Sequence, residues 1–169
     1  MANEQVSAAY GDLLGEAEAL RPLFAGNREQ GHYRVILLAL PGGPQFTAVQ
    51  MAAFAEGAVV VPISTKVTAY EARGYLGLVD PDLVVVESLK SEQALLKSLA
   101  RPAVILSLQE TPENMEPHQV FNWSDIMGGM GVMPLKSGNS KFPPDTALVQ
   151  FTSGSTGMPK GIIITRANL

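Results

Sequence analysis

Four short apolar runs, each of strand length and each set off from the next by a turn or a helix-like stretch, constrain this chain more than any other feature. They are Tyr33 to Leu40, Ala58 to Ile63, Leu83 to Glu87 and Ala103 to Leu108. Runs that are continuously apolar, instead of alternating, are the pattern of strands buried on both faces. Between the first two, Pro44 suits the first position of a helix over Gln45 to Glu56, apolar nearly all round and stopped by Gly57. Thr68 and Glu71 form a capping box for a helix reaching about Leu78, broken at Asp80-Pro81. Ser91 is placed to cap a helix over Glu92 to Ala100. A further helix, Val6 to Phe24, precedes the first strand and carries Leu13, Leu14, Ala17, Leu20, Leu23 and Phe24 near helical spacing. Buried strands alternating with helices predict an α/β fold with a doubly wound, mostly parallel sheet.

Beyond the fourth strand the pattern lapses. Gln109 to Pro144 is polar and rich in proline and glycine, with one short helix expected near Trp123 to Met127. It reads as an irregular, linker-like excursion inside a single domain spanning residues 1–169. Order returns at Thr146, with an apolar run to Phe151, a hydroxyl- and glycine-rich stretch, and a β-branched run at Ile162-Ile163-Ile164-Thr165. That is strand–loop–strand.

The loop is Thr152-Ser153-Gly154-Ser155-Thr156-Gly157-Met158-Pro159-Lys160-Gly161. Its composition suits a polyphosphate. Glycines let backbone N–H groups approach an anion as a nest, hydroxyls donate further bonds, and Lys160 adds a mobile positive charge. It is not a Walker A loop: Pro159 stands where the second glycine would be, Gly161 replaces the metal-binding hydroxyl, and a strand follows instead of a helix. A surface turn that binds nothing is the plain alternative, and the flanking strands argue against it.

Thr-Ser-Gly-Ser-Thr-Gly-x-Pro-Lys-Gly resembles the signature loop of the adenylate-forming (AMP-binding) superfamily, which includes acyl-CoA synthetases, fatty acyl-AMP ligases, peptide-synthetase adenylation domains and luciferases. The resemblance extends upstream through Ala9-Tyr10-Gly11-Asp12-Leu13-Leu14, Arg34 to Pro41, Phe54 to Ile63, and Asp145 with Ala147. It implies the N-terminal part of an ATP-dependent carboxylic-acid-activating ligase that forms an acyl-adenylate, after which a thiol of CoA or a carrier protein takes the acyl group. It also implies site residues: Thr152, Ser153, Gly154, Ser155, Thr156, Gly157, Lys160 and Gly161 for ATP phosphates, with Lys160 as the catalytic cation and Pro159 stiffening the loop. Mg2+ is implied as a cofactor. Its glutamate ligand in the family belongs to an element not found in these residues, and no metal ligand is assigned here. Gln150 before an aromatic residue resembles fatty acyl-AMP ligases and acyl-CoA synthetases more than amino-acid-activating domains. The chain alone is expected not to form an adenylate. A non-catalytic nucleotide-binding or protein-interaction module derived from the same fold is the second reading.

Twelve basic against sixteen acidic residues give a net charge of −4, which argues against a nucleic-acid surface. Cysteine is absent, so disulfides are excluded. No apolar run approaches the ~18 residues of a membrane span, and Met1 to Gln5 lacks a secretory pattern, so a cytoplasmic protein is expected. His32 and His118 lie in separate loops without metal-ligand spacing. Pro41-Gly42-Gly43-Pro44 and Gly128-Gly129-Met130-Gly131 read as turn and linker. Arg166 stands where the family usually has histidine. Two readings stay open for it: a solvated charge at a helix start, or a contact to phosphate or substrate. The β-edge beyond the loop and some apolar helix surface are expected to be uncovered.

Overall fold

The computed structural model describes residues 9–25, 34–109, 115–130, 141–152 and 159–169. Helix α1 (Tyr10–Phe24) leads into strand β1 (Val35–Ala39), α2 (Pro44–Ala55) and β2 (Val59–Pro62). Then come α3 (Ala69–Val79), β3 (Leu83–Val86), the single-turn α4 (Gln93–Leu96) and β4 (Val104–Ser107). Strand β5 (Gln119–Asn122), α5 (Trp123–Met127), β6 (Thr146–Thr152) and β7 (Lys160–Thr165) follow, and a 3-10 turn spans Arg166–Asn168. One seven-stranded sheet runs in the order β5-β4-β3-β1-β2-β6-β7, parallel throughout except for antiparallel β7. The expected α/β, doubly wound sheet is the fold observed.

The sheet is central because β1, β3 and β4 are buried along their whole length. Alternate side chains feed two cores. Ile36, Leu38, Val60, Leu83, Val85, Val104 and Leu106 pack with α1, α2 and α5. Val35, Leu37, Val59, Val61, Val84, Val86 and Ile105 pack with α3 and α4. Each such side chain contributes about 1.5–3 kcal/mol on burial, which favours placing strands that are apolar on both faces inside the sheet. Helices on opposite faces follow from right-handed crossovers that run one way from β1 to β2 and the other way from β2 to β3.

At the amino ends of the strands, Asp82 ties β1 to β3. Its Oδ2 accepts the Val35 N–H at 2.9 Å, and its own N–H donates to the Val35 carbonyl at 2.9 Å. Arg101 donates to Asp82 Oδ1 at 3.1 Å and to Asp80 Oδ1 at 2.7 Å. Asp80 ends α3 in the left-handed region, φ 48°. The capping box is as the sequence predicts, with Thr68 Oγ1 accepting the Glu71 N–H and Glu71 accepting the Thr68 N–H at 2.9 Å. Pro44 does open α2, and Gly57, at φ 71°, turns the chain from α2 into β2.

Three expectations need correction. Ala9 is extended (φ −68°, ψ 147°), so the helix ending at Phe24 starts at Tyr10, and Val6 to Ala8 of the expected helix lie outside the described residues. The helix expected over Glu92 to Ala100 is a single turn, Gln93–Leu96. Ser91 does not cap it, because its hydroxyl donates instead to the Ser88 carbonyl. Ser98 N–H and Leu99 N–H then close tighter bonds to Leu95 and Leu96, ending the helix before Arg101-Pro102. Lastly, Gln109 to Pro144 contains, besides the expected helix Trp123–Met127, a strand that was not foreseen. β5 pairs in parallel with β4 from Val104↔Gln119 to Ser107↔Asn122. As an edge strand it needs no continuous apolar run: Gln119 is exposed, and Val120 and Phe121 are half-buried.

Candidate functional site at the β6–β7 hairpin

β6 runs parallel to β2, with Val60 opposite Leu148. Its last residue, Thr152, therefore emerges at the carboxyl edge of the sheet, where ligands of open α/β folds bind. β7 returns antiparallel with a register that sets Thr152 against Lys160, Phe151 against Gly161 and Gln150 against Ile162. The residues of the signature stretch are thus divided. Thr152, Pro159, Lys160 and Gly161 are brought together at the base of the hairpin. Ser153, Gly154, Ser155, Thr156 and Gly157 lie outside the described residues.

Thr152 is exposed, with its Oγ1 3.5 Å from the Lys160 carbonyl oxygen. Lys160 is exposed at the first position of β7. Gly161 has a steric role that sequence alone did not suggest. A Cβ there would stand 3.1 Å from Val149 Cγ1, inside ordinary contact distance, and 3.4 Å from Phe151 Cε1, in contact with the ring. The bare backbone lets the Phe151 ring lie across β7. That ring in turn meets Tyr75 of α3, centroids 4.6 Å apart and planes tilted by 39°. Pro159 rests against Gly74 on the same helix. Gly74, Tyr75 and Phe151 were missed because their contacts join segments distant in sequence. The only hint was that an aromatic residue precedes the Thr-Ser-Gly stretch.

Beside this base, Leu78, Val79, Phe142, Val149, Phe151 and Ile163 line an apolar hollow of about 170 Å3. β7 is the sheet's outer strand, with Ile162 52% and Ile163 46% exposed, and Leu78 is exposed nearby. The expected uncovered apolar edge is present.

Arg166 does stand at a helix start, the 3-10 turn Arg166–Asn168, but it is half-buried and bonded instead of solvated. β7 carries it back toward the amino edge, about 20 Å of strand from Lys160 at ~3.4 Å per residue. There its N–H donates to the Asp145 carbonyl, and its guanidinium donates to the Gly57 carbonyl at 2.6 Å. It is half-buried and pins the hairpin's far end to the turn after α2. His118 likewise serves the fold: its Nδ1 accepts the Ala103 N–H at 3.3 Å, beside the start of β4. His32 lies outside the described residues. Among the described residues no group of three or more His, Cys, Asp or Glu side chains comes together that could hold a metal ion. No helix among them is long and apolar enough to cross a membrane.

Fold and hairpin together define a doubly wound α/β protein that carries a glycine- and hydroxyl-rich loop, followed by a lysine, at the carboxyl edge of its sheet. The family described as AMP-binding enzyme matches residues 1–169, and the chain belongs to it. Among its relatives, the candidate acyl-CoA ligase YdaB of Bacillus subtilis (strain 168) is 34% identical over 136 residues, covering 80% of this chain and 26% of that protein. The 4-coumarate–CoA ligase 1 of Oryza sativa subsp. japonica is 27% identical, over 90% of this chain and 26% of that protein. The A-PCP didomain of carboxylic acid reductase from Segniliparus rugosus, solved in complex with AMP, shares the fold. Its TM-score is 0.72 at 18% identity, over 96% of this chain and 26% of that one. The chain spans about a quarter of the length of the curated relatives it matches.

Proposed function

We propose that these 169 residues form a partial AMP-binding domain that supplies the pyrophosphate-binding loop of an ATP-dependent carboxylic-acid-activating ligase. In the reaction so read, a carboxylate oxygen bonds to the α-phosphorus of ATP, the bridge to the β-phosphate breaks, and pyrophosphate leaves with the electron pair. Charge builds on the leaving group, and preorganised donors are what the protein contributes. The hydroxyls of Thr152, Ser153, Ser155 and Thr156 and the amides of Gly154 and Gly157 are assigned to the β- and γ-phosphates. Lys160 neutralises pyrophosphate as it departs. Gly161 acts from below, by admitting Phe151.

The observation that carries this reading is the register Thr152↔Lys160 on a strand parallel to β2. It brings the hydroxyl and the cation at the two ends of the glycine-rich stretch to adjacent positions on the ligand-binding edge. Fatty or other acyl acids are favoured as substrate over amino acids, and CoA or a carrier-protein thiol as acceptor. Gln150 and the acyl-CoA ligases among the relatives support that choice.

Titration of the chain with inorganic pyrophosphate, followed by amide NMR, tests the loop assignment. Binding at Thr152 and Lys160 is expected, weakened about tenfold or more by Lys160→Ala through loss of a charged hydrogen bond. Equal affinity of wild type and variant overturns the role of Lys160. Carboxylate-dependent ATP–pyrophosphate exchange by the chain alone would overturn the reading that the remaining catalytic groups lie elsewhere in a family member.

A further inference from the structure

One turn of α3 touches both stems of the signature loop. On the incoming side, Phe151 stacks against Tyr75 at 4.6 Å one residue before the loop begins. On the outgoing side, Pro159 lies over Gly74, where a Cβ would sit in contact with it, 3.4 Å from Pro159 Cγ and 3.6 Å from Cδ. Gly77, almost one turn further along, has open space around it. α3 is a firm support, closed at its start by the capping box and buried through Ala72, Leu76 and Val79.

We propose that Gly74 and Tyr75 are positioning residues for the signature loop, a two-point bracket that fixes the separation and direction of its stems. Where the two stems of a loop are held sets where its donors can stand, and misplacing such groups by ~1 Å can cost on the order of a hundredfold in function. Pro159 suits the outgoing point, since its ring is rigid and offers a flat apolar surface to the glycine. Tyr75 suits the incoming one, since a tilted aromatic pair resists sliding. The proposal rests on the reading that the loop binds pyrophosphate.

The test uses Gly74→Ala, Gly74→Leu, Tyr75→Phe and Tyr75→Ala in the full 169-residue chain. Two readouts are taken: titration with inorganic pyrophosphate, and amide hydrogen exchange at Thr152, Lys160 and Gly161. An alanine methyl at Gly74 fits at ordinary contact distance, whereas a leucine must push Pro159 away. Both raise helix propensity, so a role confined to helix stability would make leucine as harmless as alanine. Gly74→Leu and Tyr75→Ala are expected to weaken pyrophosphate by about tenfold and to speed exchange at the stems, while Gly74→Ala and Tyr75→Phe stay close to wild type. Wild-type affinity and exchange in Gly74→Leu would overturn the bracket, as would equal losses in all four variants. A wild-type chain that binds no pyrophosphate defeats the functional reading instead, and exchange at the stems then still decides whether α3 holds them.

Discussion

Thr152 faces Lys160 across the last rung of the β6–β7 ladder, its hydroxyl 3.5 Å from the Lys160 carbonyl oxygen. That contact is too long to hold the hairpin, so the hydroxyl is available to a ligand without cost to the fold. Thr152→Val keeps the β-branched shape the strand prefers and removes only the oxygen. Stability is expected to stay within about 0.5 kcal/mol of wild type by urea denaturation, while pyrophosphate affinity falls roughly two- to tenfold, the worth of one hydrogen bond. Unchanged affinity would remove Thr152 from the anion site.

Much of this organisation is legible in the sequence because buried strands and amphipathic helices write their periods locally. Val35 to Ala39, Leu83 to Val86 and the Thr68/Glu71 cap need no distant partner to be recognised. What was missed depends on distance. β5 is a strand only because β4 offers it a ladder, and its Gln-Val-Phe-Asn has no apolar run to announce it. Arg166 finds a carbonyl 109 residues away in sequence. The contacts of Gly74 and Tyr75 with the hairpin cross a similar gap, and a motif states which groups a loop carries but not what holds its ends.

Gly161 illustrates the difference between a motif residue that touches ligand and one that makes room. Gly161→Ala places a methyl 3.1 Å from Val149 Cγ1 and 3.4 Å from Phe151 Cε1. Relief requires the buried Val149 side chain to give way beside the Phe151 ring. A loss of about 1–3 kcal/mol in urea unfolding is expected, the range for overpacking. Stability equal to wild type would mean that Val149 gives way freely, and the steric account of Gly161 would fail.

Asp82 is buried and bonded to both backbone groups of Val35 while pairing with Arg101. Asp82→Ala strands the Val35 N–H at the base of the central strands. The expected cost is about 1–3 kcal/mol, the penalty of a buried donor without its partner. Asp82→Asn, which keeps an acceptor oxygen for Val35, is expected to lose less. Indistinguishable urea midpoints for Asp82→Ala and wild type would contradict the part assigned to this carboxylate.

Glu92 makes stability depend on pH in a sense opposite to that of a paired carboxylate. Burial raises its pKa above the ordinary value of 4.5, and the Glu87 charge adds to the rise, outweighing the nearby Ser91 hydroxyl. The native state therefore holds this proton more tightly than the unfolded chain does. Its contribution is fully present below 4.5 and is lost as pH rises through the raised native value. Glu92→Gln mimics the protonated form and keeps the volume. Thermal or urea unfolding should show the variant matching wild type below 4.5 and exceeding it at neutral pH, with the gap opening across the interval between the two pKa values. A variant less stable than wild type at pH 7 would show that the ionised carboxylate is used by the fold, and the assignment of burial as the dominant influence on Glu92 would be wrong.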